Sequence, residues 1–192
     1  MSFFYSYYSN IIKYDLINKF SYQNVQQLPQ IRKIVLHFRF KKININFLVS
    51  ALMAFQLITS KSGSLIKANK FNTMLKIKKG NPVGCKIILT KTAMYFFFFK
   101  FLLQVSHKLQ QINITPNTNR NKTLGIKLKN LMVFKEIEQN YKFFKELLNL
   151  NILIVTNTTT MVEFVFLLKA FKLPVSVKLE RNLNNKPSFA KR

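Results

Sequence analysis

The sequence predicts an α+β fold in which helices cover one face of an antiparallel or mixed β-sheet. Of the 192 residues, 48% are hydrophobic and 20 are Phe, which is enough apolar material for one domain with a substantial core. Residues 31–39 alternate apolar and polar side chains, as a strand does when only one of its faces is buried. Helical and strand-like segments then alternate at short spacing, which favours one sheet with helices on one side.

The first elements follow from hydrophobic spacing. Apolar side chains at near-helical intervals predict a helix over residues 3–20, and Pro29 marks an extended entry to a strand over 31–39. The alternation in that strand divides its side chains between a buried face with Ile34, Leu36 and Phe38 and an open face with Lys33, Val35, His37 and Arg39. The open face is therefore mostly basic.

The middle of the chain continues the pattern. Apolar residues three and four apart predict a second helix over residues 43–59. Short strand-like runs follow at 64–68, 74–79 and 85–90, and Gly80, Asn81, Pro82 and Gly84 indicate a tight turn before the last of them. A helix over 92–108 comes next. Its four consecutive phenylalanines, Phe96 to Phe99, face all round a helix and are therefore predicted to lie in the core.

The second half supplies the remaining elements. We expect strands at 123–130 and 131–134, a helix over 138–148, a buried strand at 150–156 and a helix over 160–171. Residues 1–174 then form a single domain. Residues 175–192 form a basic C-terminal extension that we expect only a partner to order.

The charge is large and unevenly distributed. The formal net charge is +25, and residues 16–135 contain no carboxylate while they hold 21 of the 31 Lys and Arg residues. A solvated basic face normally contains interspersed acids, and this stretch has none. A polyanion with a phosphate backbone is therefore the predicted partner.

Other classes of function fit the residues less well. A nuclease or maturase from an organelle would also be basic, but metal-assisted phosphodiester cleavage needs carboxylates that converge on divalent ions, and the six acids are scattered. Cys85 is the only cysteine, and with His37 and His107 it offers no metal-ligand spacing, so we expect no cofactor and no metal. A membrane-surface protein would carry a basic amphipathic helix. Residues 93–105 contain Lys100 and are too short for a membrane span, which needs about 20 residues.

Three stretches carry a resemblance to a known family. FSYQNVQQLPQIRKIVLHF at 20–38 is similar to the pattern F-x-Y-x-N-V-x-x-V-P-x-x-x-K-I-x-L-N. The stretch 65–102, with the turn G-x-P-V/I-G-x-K at its centre, and the stretch 150–174 resemble the middle and the closing strand and helix of the same proteins. These are the ribosomal protein L-five family of the large subunit, in its bacterial and organellar branch. The likeness runs in the right order from about residue 5 to residue 174.

The resemblance implies a structural, non-catalytic protein of the central protuberance of the large ribosomal subunit. It implies helices on one face of the sheet, RNA on the opposite face, and binding to 5S rRNA or neighbouring large-subunit rRNA. Neighbouring central-protuberance proteins would be further partners. The residues that would contact rRNA are Arg32, Lys33, His37, Arg39, Lys61, Lys67, Lys86 and Ile88.

The resemblance also implies that a long loop, at about residues 67–84, reaches toward P-site tRNA. KIKKGNPVGCKIIL, residues 76–89, has four lysines around its turn and no acid. Its glycines would let an RNA backbone approach closely. The residues that would face the tRNA are Lys70, Lys76, Lys78, Lys79, Gly80, Asn81, Pro82 and Gly84.

Four positions depart from the family pattern. His37, Lys61, Leu75 and Ile88 stand where the family has other residues that it uses against 5S rRNA. Because polar contacts are exchanged for charge or apolar surface, we hypothesise that binding relies more on phosphate electrostatics than on base-specific contacts, with a 5S rRNA that is divergent or missing.

The source of the chain is a separate expectation. Abundant Phe, Ile, Asn and Lys and the absence of Trp fit an AT-rich organelle genome. Because the likeness begins near residue 5, we expect no transit peptide and an organelle-encoded mitochondrial protein. A plastid origin or an already trimmed form stays open.

Overall fold

A computed structural model describes residues 3–40, 45–105, 112–114, 123–145, 147 and 149–177, and for 112–114 and 175–177 the backbone only. The helices are α1 (Phe3–Tyr7), α2 (Lys13–Lys19), α3 (Ile45–Thr59), α4 (Lys91–Gln104), α5 (Lys135–Glu138), α6 (Tyr141–Phe144) and α7 (Met161–Ala170). The strands are β1 (Ile31–Arg39), β2 (Ser64–Lys67), β3 (Pro82–Leu89), β4 (Ile112–Ile114), β5 (Thr123–Leu128), β6 (Leu150–Thr156) and β7 (Val175–Val177).

Five strands form one antiparallel sheet in the order β2-β3-β1-β6-β5. Leu36 in the central strand pairs with Ile87 on one side and with Ile152 on the other. The α+β class with helices against an antiparallel sheet is therefore confirmed, as are the predicted bounds of β1 and β6.

The core lies between the sheet and the helices. Ile34, Leu36 and Phe38 of β1 are almost fully buried, and Phe38 packs against Phe55 of α3 with ring centroids 4.9 Å apart. Cys85 belongs to the same core, as predicted, and burial raises the pKa of its thiol to about 11.

The N-terminal helix is confirmed over nearly its whole predicted length, with one irregularity. A π-helical segment, Tyr8–Ile12, joins α1 to α2. It brings the Tyr8 hydroxyl within 3.0 Å of the Pro29 carbonyl oxygen, to which it donates a hydrogen bond. Ile12 and Leu16 are fully buried. The hydrogen bond and these two side chains attach the helix to the domain just before β1.

The prediction for the phenylalanines of α4 is half wrong. Phe97 and Phe98 are buried, but Phe96 is 62% exposed and Phe99 is 41% exposed. Successive helical residues point about 100° apart, so a helix that packs one face on a sheet buries only part of such a run. Residues 106–108 of the predicted helix lie outside the described residues. Among the helices that the structure describes, none combines the length and apolar content needed to cross a membrane.

Three other predicted elements differ. Residues 74–79 are not a strand but part of the loop between β2 and β3, where an isolated bridge joins Asn72 and Ile77. The predicted strand at 131–134 is instead a 3₁₀ turn over Leu131–Val133, at whose start the Asn130 side chain accepts a hydrogen bond from the backbone N–H of Met132 at 2.9 Å. The predicted helix over 138–148 is reduced to α6, which follows the separate short helix α5.

The last helix and the segment beyond it complete the described chain. Thr160 and Glu163 form a capping box at the start of α7, which confirms the predicted helix there. The first residues of the predicted extension, Val175–Val177, pair in parallel with Ile112–Ile114. Residues 178–192 lie outside the described residues, and so do 109–111 and 115–122 of the polar loop, so the proposed division at residue 174 stays a prediction.

The two phenylalanines Phe55 and Phe96 provide a test of this packing. Phe55→Ala should lower the free energy of unfolding by about 3–5 kcal/mol, because it empties a fully buried site under the sheet. Phe96→Ala makes the same chemical change at an exposed site and should alter it by no more than about 0.5 kcal/mol. Urea unfolding of both variants measures the difference, and equal losses would contradict the assignment of the buried face.

Candidate nucleic-acid interface

The face of the sheet opposite the helices, which we call the open face, is formed by the alternate residues of all five strands. Its members are Lys33, Val35, His37, Arg39, Ser64, Ile66, Gly84, Lys86, Ile88, Thr123, Gly125, Lys127, Asn151, Leu153 and Val155. It contains four cationic side chains and no carboxylate. The predicted basic face is therefore present, and it extends over the whole sheet.

The strand register aligns five polar residues, one from each strand. Ser64 pairs with Lys86, Lys86 with His37, His37 with Asn151, and Asn151 with Lys127. We call this set the polar row. Because neighbouring strands are about 4.8 Å apart, the row places Lys86 and Lys127 roughly 14 Å from each other across the sheet. An RNA backbone that crosses the strands could meet both cations.

The centre of the polar row is a neutral pair. His37 is half-buried, and its Nε2 lies 3.2 Å from the side-chain nitrogen of Asn151. Burial lowers the pKa of the His37 imidazole below its ordinary value, and the positive charge of Arg39 lowers it further. The ring is therefore uncharged at neutral pH and offers a hydrogen-bonding group rather than a charge.

An apolar strip runs beside the polar row. Val35 pairs with Ile88 on one side and with Leu153 on the other, and Leu153 pairs with Gly125. Ile88 is 49% exposed. Apolar side chains between cations suit the sugar and base surfaces of an RNA whose phosphates the cations bind.

A shallow cavity of about 540 Å³ lies over one end of this face. His37, Arg39, Lys127 and Asn151 line it, and Leu75 reaches it from the loop between β2 and β3. The strand register alone therefore does not define the site, because the loop supplies one wall.

That loop, residues 68–81, is closed at its base by backbone hydrogen bonds. Ala68 N–H donates to the Asn81 carbonyl at 2.8 Å, and Gly80 N–H donates to the Ala68 carbonyl at 2.9 Å. The loop lysines Lys70, Lys76, Lys78 and Lys79 are all exposed. Near its tip the apolar side chains of Phe71, Met74 and Leu75 are exposed as well. The loop thus presents both charge and apolar surface, and of the apolar residues the sequence analysis singled out only Leu75.

Pro82 and Gly84 do not belong to this loop, which is shorter than the predicted range of about 67–84. Both lie in β3, and the turn is at Gly80, whose φ of 91° is a left-handed conformation that suits glycine. A Cβ on Gly84 would lie 2.3 Å from the carbonyl oxygen of Phe38. The close approach that requires Gly84 is therefore made by the neighbouring strand.

The other predicted site residues are scattered. Lys67 ends β2 beside a register shift, and Lys61 is exposed just after α3. Arg32 occupies an irregular position between Ile31 and Lys33 and lies outside the open face. The structure brings Lys33, His37, Arg39, Lys86 and Ile88 together on one surface.

Sequence reasoning missed Asn151 and Lys127. The sequence predicts a buried strand at 150–156, whereas Asn151, Leu153 and Val155 are only partly buried and face the open side. The alternation of TLGIKL at 123–128 is a signal that could have placed Lys127 on the open face. Asn151 could be placed on the open face only from its pairing with His37 in the neighbouring strand.

No protein-family model matches this chain. It is 34% identical over 174 residues to the large ribosomal subunit protein uL5m of Reclinomonas americana, a match that covers 88% of this chain and 96% of that protein. It is 30% identical to uL5 of Blochmanniella floridana (88% and 90% covered) and 31% identical to uL5 of Wigglesworthia glossinidia brevipalpis (88% and 97% covered).

Substitution of two strand glycines tests the pairing of β3 with β1. Gly84→Ala should destabilise the protein by about 1–3 kcal/mol, the usual cost of overpacking, because the new methyl group meets a backbone carbonyl. Gly125→Ala should be tolerated, because its Cβ would lie 3.4 Å from a Leu153 methyl group, which is ordinary contact. The free energies of unfolding of both variants are the measurement. Equal tolerance would mean that β3 is not paired as described.

The lowered pKa of His37 predicts how stability depends on pH. A group whose pKa is lower in the folded state binds fewer protons there, so acid favours unfolding. Below the ordinary His value of about 6.5, wild type should therefore lose stability relative to His37→Asn. Unfolding at pH 7.5 and pH 5.5 measures the effect, and parallel losses in both proteins would show that His37 is not desolvated.

Proposed function

The chain belongs to the uL5 family of large ribosomal subunit proteins, and on that premise we propose that it is a structural constituent of the large subunit that binds ribosomal RNA through the open face. The observation that carries the proposal is the polar row and its surroundings, which form an acid-free basic surface on the side of the sheet away from the helices. A phosphate backbone laid on it would gain counterion release as well as direct contacts.

The RNA is proposed to be 5S rRNA, neighbouring large-subunit rRNA, or both, at the central protuberance. His37 is neutral and Ile88 is apolar, so the two positions offer one hydrogen-bonding group and one apolar contact between the cations. Because the charged contacts on this face come only from its cations, we keep the hypothesis that binding relies more on phosphate electrostatics than on base-specific contacts, with a 5S rRNA that is divergent or missing.

The loop 68–81 is proposed to contact P-site tRNA. Backbone hydrogen bonds at the base of the loop fix its orientation, and its exposed lysines suit a phosphate backbone. Its exposed apolar residues suit an unstacked base or a neighbouring protein. Pro82 and Gly84 are left out of this contact because they lie in β3.

We propose a non-catalytic role rather than that of a nuclease or maturase. Three described acids are engaged in holding the helices. Glu136 pairs with Lys100 at 2.7 Å, Glu163 closes the capping box of α7, and Glu138 lies with Glu136 in the first turn of α5. Asp15 is exposed in α2, and Glu146 and Glu180 lie outside the described residues.

The proposed location is the mitochondrial ribosome. The similarity to the mitochondrial protein of Reclinomonas americana supports it, although other relatives are bacterial. Neighbouring proteins of the central protuberance are the proposed protein partners.

A charge-matched pair of variants tests RNA binding by the open face. Lys86→Ala should weaken binding to 5S rRNA and large-subunit rRNA fragments and reduce the log–log salt slope by roughly 0.7–0.9 for the lost phosphate contact. Lys169→Ala removes the same charge from an exposed position on α7 and should leave the slope unchanged. Filter binding across a salt series measures both.

Three outcomes of that comparison bear on the proposal. Equal losses in the two variants would indicate a general effect of net charge and would contradict a specific open-face site. Absence of wild-type binding to any rRNA fragment would contradict the function itself. Co-sedimentation of the wild type, but not of Lys86→Ala, with large subunits after a moderate salt wash would support it.

A further inference from the structure

A second cavity, separate from the open face, lies between α1, the start of β1 and the first turn of α4. Its volume is about 370 Å³, within the range of about 300–1,000 Å³ that small-ligand sites occupy. Ile31, Met94 and Tyr95 form a buried floor, and Tyr5, Arg32 and Lys91 form an exposed rim. An apolar floor below a charged rim suits a ligand with a flat apolar part and an anionic part.

The two cations on the rim come from different elements and converge without a counterion. Arg32 is on β1 and Lys91 begins α4, and both are exposed. In the part of the chain that the structure describes, neither has a carboxylate within ion-pair distance. No acid lines the cavity. An anionic group between them would relieve their mutual repulsion.

Lys91 also has an unusual backbone conformation. Its φ is 52°, in the left-handed region that glycine adopts freely and other L-residues adopt at a cost. Lys172 has a similar φ of 59°, but it directly follows α7, where a left-handed residue is common as a helix terminator. Lys91 begins a helix, so helix termination does not explain it. Backbone strain of this kind is found more often at binding and active sites than elsewhere.

The aromatic residues give the cavity a surface for a base. The rings of Tyr5 and Tyr95 are 5.8 Å apart at an interplanar angle of 73°, with Tyr95 in the floor and Tyr5 on the rim. Aromatic side chains beside cations are the usual recognition elements for an unstacked nucleotide of RNA.

We propose that this cavity holds one unstacked nucleotide of ribosomal RNA, with its base against Tyr5 over the apolar floor and its phosphate between Arg32 and Lys91. The proposal rests on the rRNA-binding function proposed above and adds a second, base-accepting contact at the edge of the sheet. The purified full chain and a short fluorescent oligouridylate are sufficient to test it by fluorescence anisotropy.

The decisive variant is Lys91→Gly. Glycine fits the left-handed conformation, so the melting temperature should be unchanged or higher, while the Kd for the oligouridylate should rise about tenfold through loss of one charge-assisted contact. Arg32→Gln should have a similar effect on the Kd. The matched control is Lys172→Gly, which removes the same charge at a similar φ away from the cavity and should change the Kd by less than about twofold.

A second measurement locates the base. A 4-thiouridine in the oligonucleotide should crosslink on irradiation to the Tyr5 or Tyr95 peptide in wild type, and Lys91→Gly should reduce that crosslink. If the crosslink maps only to open-face peptides, the cavity does not hold the base and the proposal is overturned.

The outcomes separate this proposal from the one on which it rests. If Lys91→Gly and Arg32→Gln bind as tightly as Lys172→Gly while Lys86→Ala loses rRNA affinity, the open-face function stands and the cavity proposal fails. If wild type binds no rRNA fragment, both fail. If uridine monophosphate binds as tightly as the oligonucleotide and with the same dependence on Lys91, the ligand is a free nucleotide and the assignment to RNA is overturned.

Discussion

The pleat of β1, held on both edges by antiparallel partners, is the constraint on which the rest of the structure depends. Because β3 and β6 both pair with β1, one alternation decides which side chains of three strands enter the core. Leu36 and its partners Ile87 and Ile152 are buried, and the next residue of each strand faces outward. A slip of one residue would bury His37 and expose Phe38, so the hydrophobic core enforces the register that aligns the polar row.

Two of the described acids, Glu136 and Glu163, stabilise the helical side of this arrangement. The Lys100 ammonium pairs with Glu136 and also donates to the Ile58 carbonyl at 3.1 Å, so it connects α4, α5 and the end of α3. Burial alone would raise the pKa of Glu136, but the hydrogen bond and charge of Lys100 outweigh burial and lower it. A lysine from the acid-free stretch is thereby neutralised on the helical side, whereas the lysines of the open face have no such partner among the described residues.

Sequence patterns predicted the elements that bury only one face and whose signal comes from residues close together in the chain. The strand 31–39 and the helix over 160–171 have a clear period or a capping signal, and the structure matches them. The errors arose where tertiary contacts decide. In the sequence, Gly84 is typical of a turn and Phe96 of a core. In the structure, the carbonyl oxygen of Phe38 lies against Gly84, and Phe96 is on the exposed face of α4. The polar row could not be predicted because it depends on register between strands far apart in sequence, as the contact of His37 with Asn151 shows.

The spacing along the polar row explains how an acid-free basic face remains stable in a folded protein. Between Lys86 and Lys127 lie two neutral residues, His37 and Asn151, and the low pKa of His37 keeps the middle of the row uncharged. Lys86 and Lys127 are roughly 14 Å apart, which exceeds the Debye length of about 8 Å at physiological ionic strength. Salt therefore largely screens the repulsion between these two lysines in water. A bound RNA would exclude that solvent and bring phosphates to both cations at once. The same spacing that limits repulsion in the free protein would therefore give the proposed RNA two separate points of attachment, with a neutral hydrogen-bonding pair between them.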